Sequence, residues 1–238
     1  MIKEALQYLI SLQKVPFFTE IDGSTYTDTS LQRVSYIPQA EPLTMKTLTS
    51  LVEYIKSEID VMAPEMIVHV ESPTRVTLCS QLNIERDRES LVHVIAGIPE
   101  FRFNSYYDNE EFNIALQSKF LDAYDRNLLL QFCGNVEDEN VVAYGDDGIS
   151  QKATVRSGIA SRSEVIVPNP VVLAPYRTFL EVEQPESEFI FRVRKDRSGI
   201  ECAVFEADGG KWKMDAMERI KAYLAEELKD FPKFKVIA

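Results

Sequence analysis

The stretch that decides the fold is MIVHVESPTRVTLCSQL, residues 66–82. In its first part, Met66, Val68 and Val70 alternate with Ile67 and His69. A period of two indicates a β-strand with one face turned to a core. Ser72-Pro73 predicts a turn, and residues 74–82 predict the strand that follows it. With a further strand over residues 90–95, this part of the chain predicts a β-meander.

Four other segments carry apolar residues at helical spacing. The clearest begins at a cap on Thr44 or Thr47 and carries the stripe Leu48, Leu51, Val52, Ile55 and Ile59. The remaining predicted helices are residues 2–10, the first half of residues 106–133, and residues 214–229. For Leu128-Leu129-Leu130, periodicity leaves both a helix and a buried strand open.

From residue 140 to residue 205 the pattern indicates almost only β-structure. The predicted strands cover residues 153–159, 164–167, 171–173, 189–194 and 200–205. Strands that arrive in clusters indicate an α+β fold with mostly antiparallel sheets, flanked here by three or four α-helices. An acidic loop after Val136 suggests a helix-flanked half, 1–136, and a β-rich half, 137–238, that ends in a helix. A single domain is the alternative.

Charge and hydropathy restrict the partners. The 238 residues include 38 acidic and 26 basic side chains, for a net charge of −12. Such a chain repels a polyanion, which disfavours an extended nucleic-acid-binding surface and leaves a local basic patch open. The sequence contains no run of about 18 apolar residues and no signal-peptide pattern. We therefore expect no membrane partner and a location in the cytoplasm.

Motifs for catalysis or cofactor binding are missing from the sequence. The nine glycines form neither GxGxxG nor GxxxxGK[ST], and the stretch Gly158–Ser161 lacks the last glycine of a nucleophile elbow. Two histidines and three widely spaced cysteines predict no metal site and no disulfide framework. If Ser72-Pro73 is a two-residue turn, His69 lies opposite Val76. We name no catalytic residue, no metal ligand and no cofactor.

A cluster of basic residues near the end of the β-rich region is a candidate anion-binding patch. Its members are Arg192, Arg194, Lys195 and Arg197. On a strand with its apolar residues inward, Arg192 and Arg194 share the outer face. A turn at Arg197-Ser198 would place Arg194 opposite Glu201, as in an ordinary cross-strand pair. The alternative is therefore a solvated, charge-paired face.

One predicted strand is a candidate edge for self-association. Four prolines, Pro168, Pro170, Pro175 and Pro185, interrupt residues 164–188 and would block pairing there. Residues 153–159 contain no proline and only Arg156 as a charge, so Thr154, Val155 and Arg156 form the least protected edge. The alternative is a central strand that is paired on both sides.

Two segments stand out together: VIVPNPVVLAPYRTF, residues 165–179, with the strand at 189–194, and DDGISQ, residues 146–151, leading into residues 154–158. In these segments the chain resembles proteins of unknown function that bacteriophages and prophages of Gram-positive hosts encode. The resemblance implies a viral protein expressed in the cytoplasm of a host bacterium. It implies no catalytic residue.

Our leading hypothesis is a non-enzymatic phage protein that acts by binding, as a homo-oligomer. Its partner would be a host protein or a component of phage DNA metabolism or of the response to host defence. One alternative is a hydrolase of nucleic acid or nucleotide signals, with a site of dispersed carboxylates and arginines. Another is a structural protein of the virion.

Overall fold

The computed structural model divides the chain into two compact units, Met1–Gln39 and Ala40–Ala238. It describes residues 3, 17–21, 24–27, 39–135, 150–156, 162–196 and 199–238. Apart from Lys3, the predicted N-terminal helix lies outside these residues. In the first unit, strands β1 (Phe18–Ile21) and β2 (Ser24–Thr27) pair antiparallel.

The second unit contains the remaining strands and helices that the structure describes. Its strands are β3 (Leu43–Met45), β4 (Met66–Ser72), β5 (Arg75–Ser80), β6 (Ser90–Ile95), β7 (Tyr107–Asp108), β8 (Ser150–Arg156), β9 (Arg162–Pro168), β10 (Val171–Leu173), β11 (Ser187–Asp196), β12 (Gly199–Glu206) and β13 (Phe234–Ile237). Its helices are α1 (Leu48–Ser57), α2 (Asn109–Lys119), α3 (Arg126–Asn135) and α4 (Lys211–Glu227).

The predicted meander forms the centre of a five-stranded sheet with the order β13-β4-β5-β6-β3. The three central strands pair antiparallel, whereas β13 and β3 pair parallel to their neighbours at the two edges. Helices α1 and α4 contact one face of this sheet and each other. The residues buried there include Leu48, Leu51, Val68, Leu78, Val92, Ile220 and Leu224. The other face, which we call the open face, carries His69, Thr77 and His93 in one row across the strands.

A second, four-stranded sheet with the order β10-β11-β12-β7 lies against α2 and α3. Its core is rich in aromatic rings, with Phe112, Phe120, Phe132, Phe189 and Phe191 almost fully buried. The segment Leu128-Leu129-Leu130 lies within helix α3. Its central residue, Leu129, is buried in this core. Strands β8 and β9 form a separate antiparallel pair that contacts α3.

The fold class is α+β, as predicted. The division suggested after Val136 falls inside the second unit. Both cores contain residues from each side of it: Phe112 packs with Phe191 in one core, and Leu51 with Leu224 in the other.

Helix α1 matches its prediction except at its last residue. The Thr47 side chain accepts a hydrogen bond from the Ser50 amide and caps the helix. Glu58 adopts a left-handed conformation with φ of 50°, which ends the helix before Ile59. Ile59 is therefore 76% exposed and is not part of the buried stripe, contrary to the prediction.

We predict that Leu51→Asp lowers the free energy of unfolding by about 3–5 kcal/mol, because it places an unpaired carboxylate in a core. Leu51 has no exposed surface. Ile59→Asp is the matched control and should change stability by no more than about 0.5 kcal/mol. Urea unfolding followed by circular dichroism measures both. Equal stability of the two variants would contradict the packing of α1.

Candidate functional site

The structure divides the predicted anion-binding residues between two faces of β11. Arg192 and Arg194 lie on one face, and strand alternation places Lys195 on the other. Arg194 Nε donates to Glu201 Oε2 at 2.6 Å, and its guanidinium lies 3.8 Å from the centre of the Tyr106 ring. Arg197 lies outside the described residues. The cross-strand pair that the sequence offered as the alternative is thus present, and Arg194 is already partnered by an acid.

The predicted self-association edge lies on β8. This strand pairs with β9 along its whole length, from Ser150 opposite Pro168 to Arg156 opposite Arg162. Thr154 lies opposite Glu164 and Val155 opposite Ser163. No described strand pairs with the other side of β8. Within the described residues, β8 is therefore an edge strand and not a central one.

The open face carries a row of hydrogen-bonded polar side chains that the sequence pattern does not predict. Thr77 Oγ1 donates to Glu71 Oε1, and it lies 3.3 Å from Nδ1 of His93. The other ring nitrogen of His93, Nε2, lies 3.5 Å from Ser90 Oγ. Arg75 pairs with Glu71 at 3.0 Å. Thr77 is buried, whereas Ser90 and His93 are half-buried.

The register assumed for His69 is wrong. The turn residues are Pro73 and Thr74, and the β4–β5 pairing shifts between Val70 and Ser72. This β-bulge places His69 opposite Thr77, and Val76 lies opposite Val70. A bulge adds one residue to a strand, which a period of two in the sequence does not reveal.

A second polar network surrounds Arg177, which is only 4% exposed. Its guanidinium lies 4.0 Å from the centre of the Trp212 ring, donates to Ser187 Oγ, and faces Glu206 at 3.4 Å. Ser187 in turn donates to Asp208 at 2.7 Å. Burial lowers the pKa of Arg177 to about 10, so the group stays charged at neutral pH.

Beside this network is a cleft of about 450 Å³. Its charged lining residues are Glu186, Glu188, Asp208, Lys211, Asp215 and Arg219. Partial burial raises the pKa of Asp208, but hydrogen bonds from Ser187 and from the amides of Gly210 and Trp212, with the charge of Arg177, lower it by more. The pKa of Asp208 therefore lies below its ordinary value, and the group is a carboxylate at neutral pH.

Two cysteines that are far apart in the sequence meet in the aromatic core. The sulfur atoms of Cys133 and Cys202 lie 3.6 Å apart, and both residues are free thiols. The hydrogen bond with Cys202, together with burial, raises the pKa of Cys133 well above its ordinary value. The Cys133 side chain is therefore protonated at neutral pH. Within the described residues, no group of three or more His, Cys, Asp or Glu side chains could hold a metal ion.

We predict that Asp208→Asn lowers the free energy of unfolding at pH 7 and flattens its acid dependence. Because the folded-state pKa of Asp208 is depressed, its contribution is present above the unfolded-state pKa and is lost as the pH falls through the folded-state pKa. Urea titrations between about pH 6 and pH 2 measure the slope. Glu188→Gln, at an exposed carboxylate of the same cleft, is the control. An unchanged slope in Asp208→Asn would show that this carboxylate is not stabilised by folding.

Comparisons of the chain with protein-family models, with curated proteins and with solved structures gave no match. Among the described helices, none combines the length and the apolar character needed to cross a bilayer.

Proposed function

We propose that the protein acts by binding and that it works as a homo-oligomer joined through β8. The observation that carries this proposal is the unpaired edge of β8 within the described residues. A strand edge offers N–H and C=O groups that another strand can pair with. The strand is seven residues long, which gives such a pairing enough length to set its register.

A two-fold axis beside β8 would pair it antiparallel with β8 of a second copy. The two hairpins would then form one continuous four-stranded sheet, and each copy would use the same surface. The edge strands of the five-stranded sheet, β3 and β13, have three and four residues. They therefore offer shorter pairing surfaces than β8 does.

The partner that follows from the resemblance is a protein of an infected bacterium. The same edge can accept an extended segment of another protein, because added strands bind mainly through backbone hydrogen bonds. A host factor or a protein of phage DNA metabolism or of anti-defence would be bound in this way. A structural role in the virion would use the edge for ordered assembly instead, and isolating the tagged protein from infected cells separates these outcomes.

The cleft beside Asp208 favours a second candidate, the hydrolase with a site of dispersed carboxylates and arginines. It brings four acids together with Lys211 and Arg219. This excess of acids repels an anionic nucleotide unless divalent cations compensate for it. A rise in melting temperature with a nucleotide and Mg²⁺ together, lost in Asp215→Asn, would support the hydrolase. No rise would leave binding as the better account.

We predict that the wild-type protein forms a species of at least twice 27.2 kDa at micromolar concentration. Val155→Pro should reduce it to the monomer, because proline removes a backbone donor and does not fit a paired strand. Val155→Lys should weaken the assembly through charge at the edge. Light scattering coupled to size-exclusion chromatography measures the mass.

Val155→Thr is the matched control, since threonine is also β-branched and keeps the preference for a strand. It should assemble like the wild type. Circular dichroism must show that each variant retains its fold. A wild-type mass of 27.2 kDa would refute self-association, and an unchanged oligomer in Val155→Pro would place the contact elsewhere.

A further inference from the structure

Two β-bulges lie next to the polar side chains of the open face. In β6 the pairing with β5 shifts between Leu78 and Cys79, so that Val92 lies opposite Leu78 and Ser90 opposite Cys79. The extra residue, Leu91, packs with Val92 against the helical side of the sheet. Ser90 therefore lies on the open face with His93, although regular alternation would place residues three apart on opposite faces.

The second bulge, in β4, lies at the other end of the same row of polar side chains. It lies between Val70 and Ser72, at Glu71, whose carboxylate accepts from Thr77 and pairs with Arg75. Bulges commonly occur next to functional sites, where they redirect a side chain. Here both bulges border one hydrogen-bonded chain, which runs from Ser90 through His93 and Thr77 to Glu71.

The hydrogen bonds from Ser90 to Glu71 can all be donated in the same direction. The Thr77 hydroxyl uses its hydrogen toward Glu71, so its oxygen is left to accept from Nδ1–H of His93. A neutral histidine that is protonated at Nδ1 has a free lone pair at Nε2. That nitrogen faces Ser90 Oγ at 3.5 Å. The hydroxyl of Ser90 can therefore donate to His93 Nε2.

We propose that Ser90 is a nucleophile that His93 activates, and that it accepts the acyl group of an activated ester. A serine within reach of a base, with the base oriented by a third group, is the arrangement that nucleophilic catalysis requires. Thr77 and Glu71 act as positioning residues, since they hold the histidine ring and its tautomer. This activity goes beyond the proposed binding function and does not depend on it.

The reaction balances with the ester and water as its only reactants. A bond forms between Ser90 Oγ and the carbonyl carbon, while the bond from that carbon to the leaving alkoxide breaks. The serine proton passes to His93 Nε2 and then to the leaving group. Water repeats the sequence on the acyl-serine, with His93 taking and returning a proton. The products are a carboxylic acid and an alcohol, and the protein is restored.

The exposure of Ser90 and His93 and the side chains beside them indicate the class of ester. Ser90 and His93 are both half-buried, so a small molecule in solution can reach them. Ile95, 38% exposed, follows His93 by two residues and lies on the same face. It offers an apolar contact for an acyl chain. The inferred substrate is therefore an activated ester of a small apolar acid.

Labelling with an alkyl fluorophosphonate tests the proposal. This reagent phosphonylates an activated serine: Ser90 Oγ bonds to phosphorus, fluoride leaves, and the proton passes to His93. Intact-mass and peptide mass spectrometry should find one label per chain, on Ser90. We expect no label in Ser90→Ala. His93→Gln should react at least about tenfold more slowly, because it loses the general base. Thr77→Val should also react more slowly than the wild type.

Matched controls are available on the same sheet. His69→Gln removes the other histidine, which is exposed on the open face, and Ser72→Ala removes a half-buried serine that contacts Thr74. Both should label like the wild type. Nitrogen NMR of the unmodified protein, at a pH where the His93 ring carries one proton, should show that proton on Nδ1. No label on Ser90, equal labelling in His93→Gln, or an Nε2-protonated ring would each overturn the proposal.

Discussion

One buried cation, the guanidinium of Arg177, links the two larger sheets of the second unit. A charge that leaves water costs several kcal/mol unless it has partners, and here Ser187, Glu206 and the ring of Trp212 supply them for the terminal nitrogens and the planar face. The buried Nε of Arg177 has no hydrogen-bond partner among the described residues. These partners come from β11, from the end of β12 and from the start of α4. Because β11 and β12 belong to the four-stranded sheet while α4 packs on the five-stranded one, Arg177 joins the two.

The segment that carries Arg177 is fixed by polar contacts on both sides. Gln184, itself 4% exposed, accepts from the amides of Arg177 and Thr178. The Thr178 hydroxyl donates to the carbonyl of Pro73, in the turn between β4 and β5, at 2.5 Å. Phe179 then enters the core beneath the five-stranded sheet. The proposed binding edge lies on the β8–β9 pair, whereas Ser90 and His93 lie on the five-stranded sheet. A variant at one of these places should therefore leave the other intact.

The sequence was sufficient where one short-range pattern determines the structure. The period of two around Val68 and the helical spacing around Leu51 predict β4 and α1, and the cross-strand pair of Arg194 with Glu201 follows from one turn. It was insufficient where position depends on the whole fold. The bulge that turns Ser90 toward His93 interrupts alternation, and no local pattern shows that Arg177 is buried or that Cys133 meets Cys202.

Hydrogen exchange of Arg177→Lys tests most directly whether this residue joins the two sheets. Lysine keeps the charge but loses the planar fork that contacts Ser187 and Glu206 together. We expect amides of β4–β6 and of β11–β12 to lose protection together, because both depend on the same contact. Arg219→Lys, at a more exposed arginine of α4, should leave both unchanged. Loss of protection confined to residues 174–187 would contradict the account.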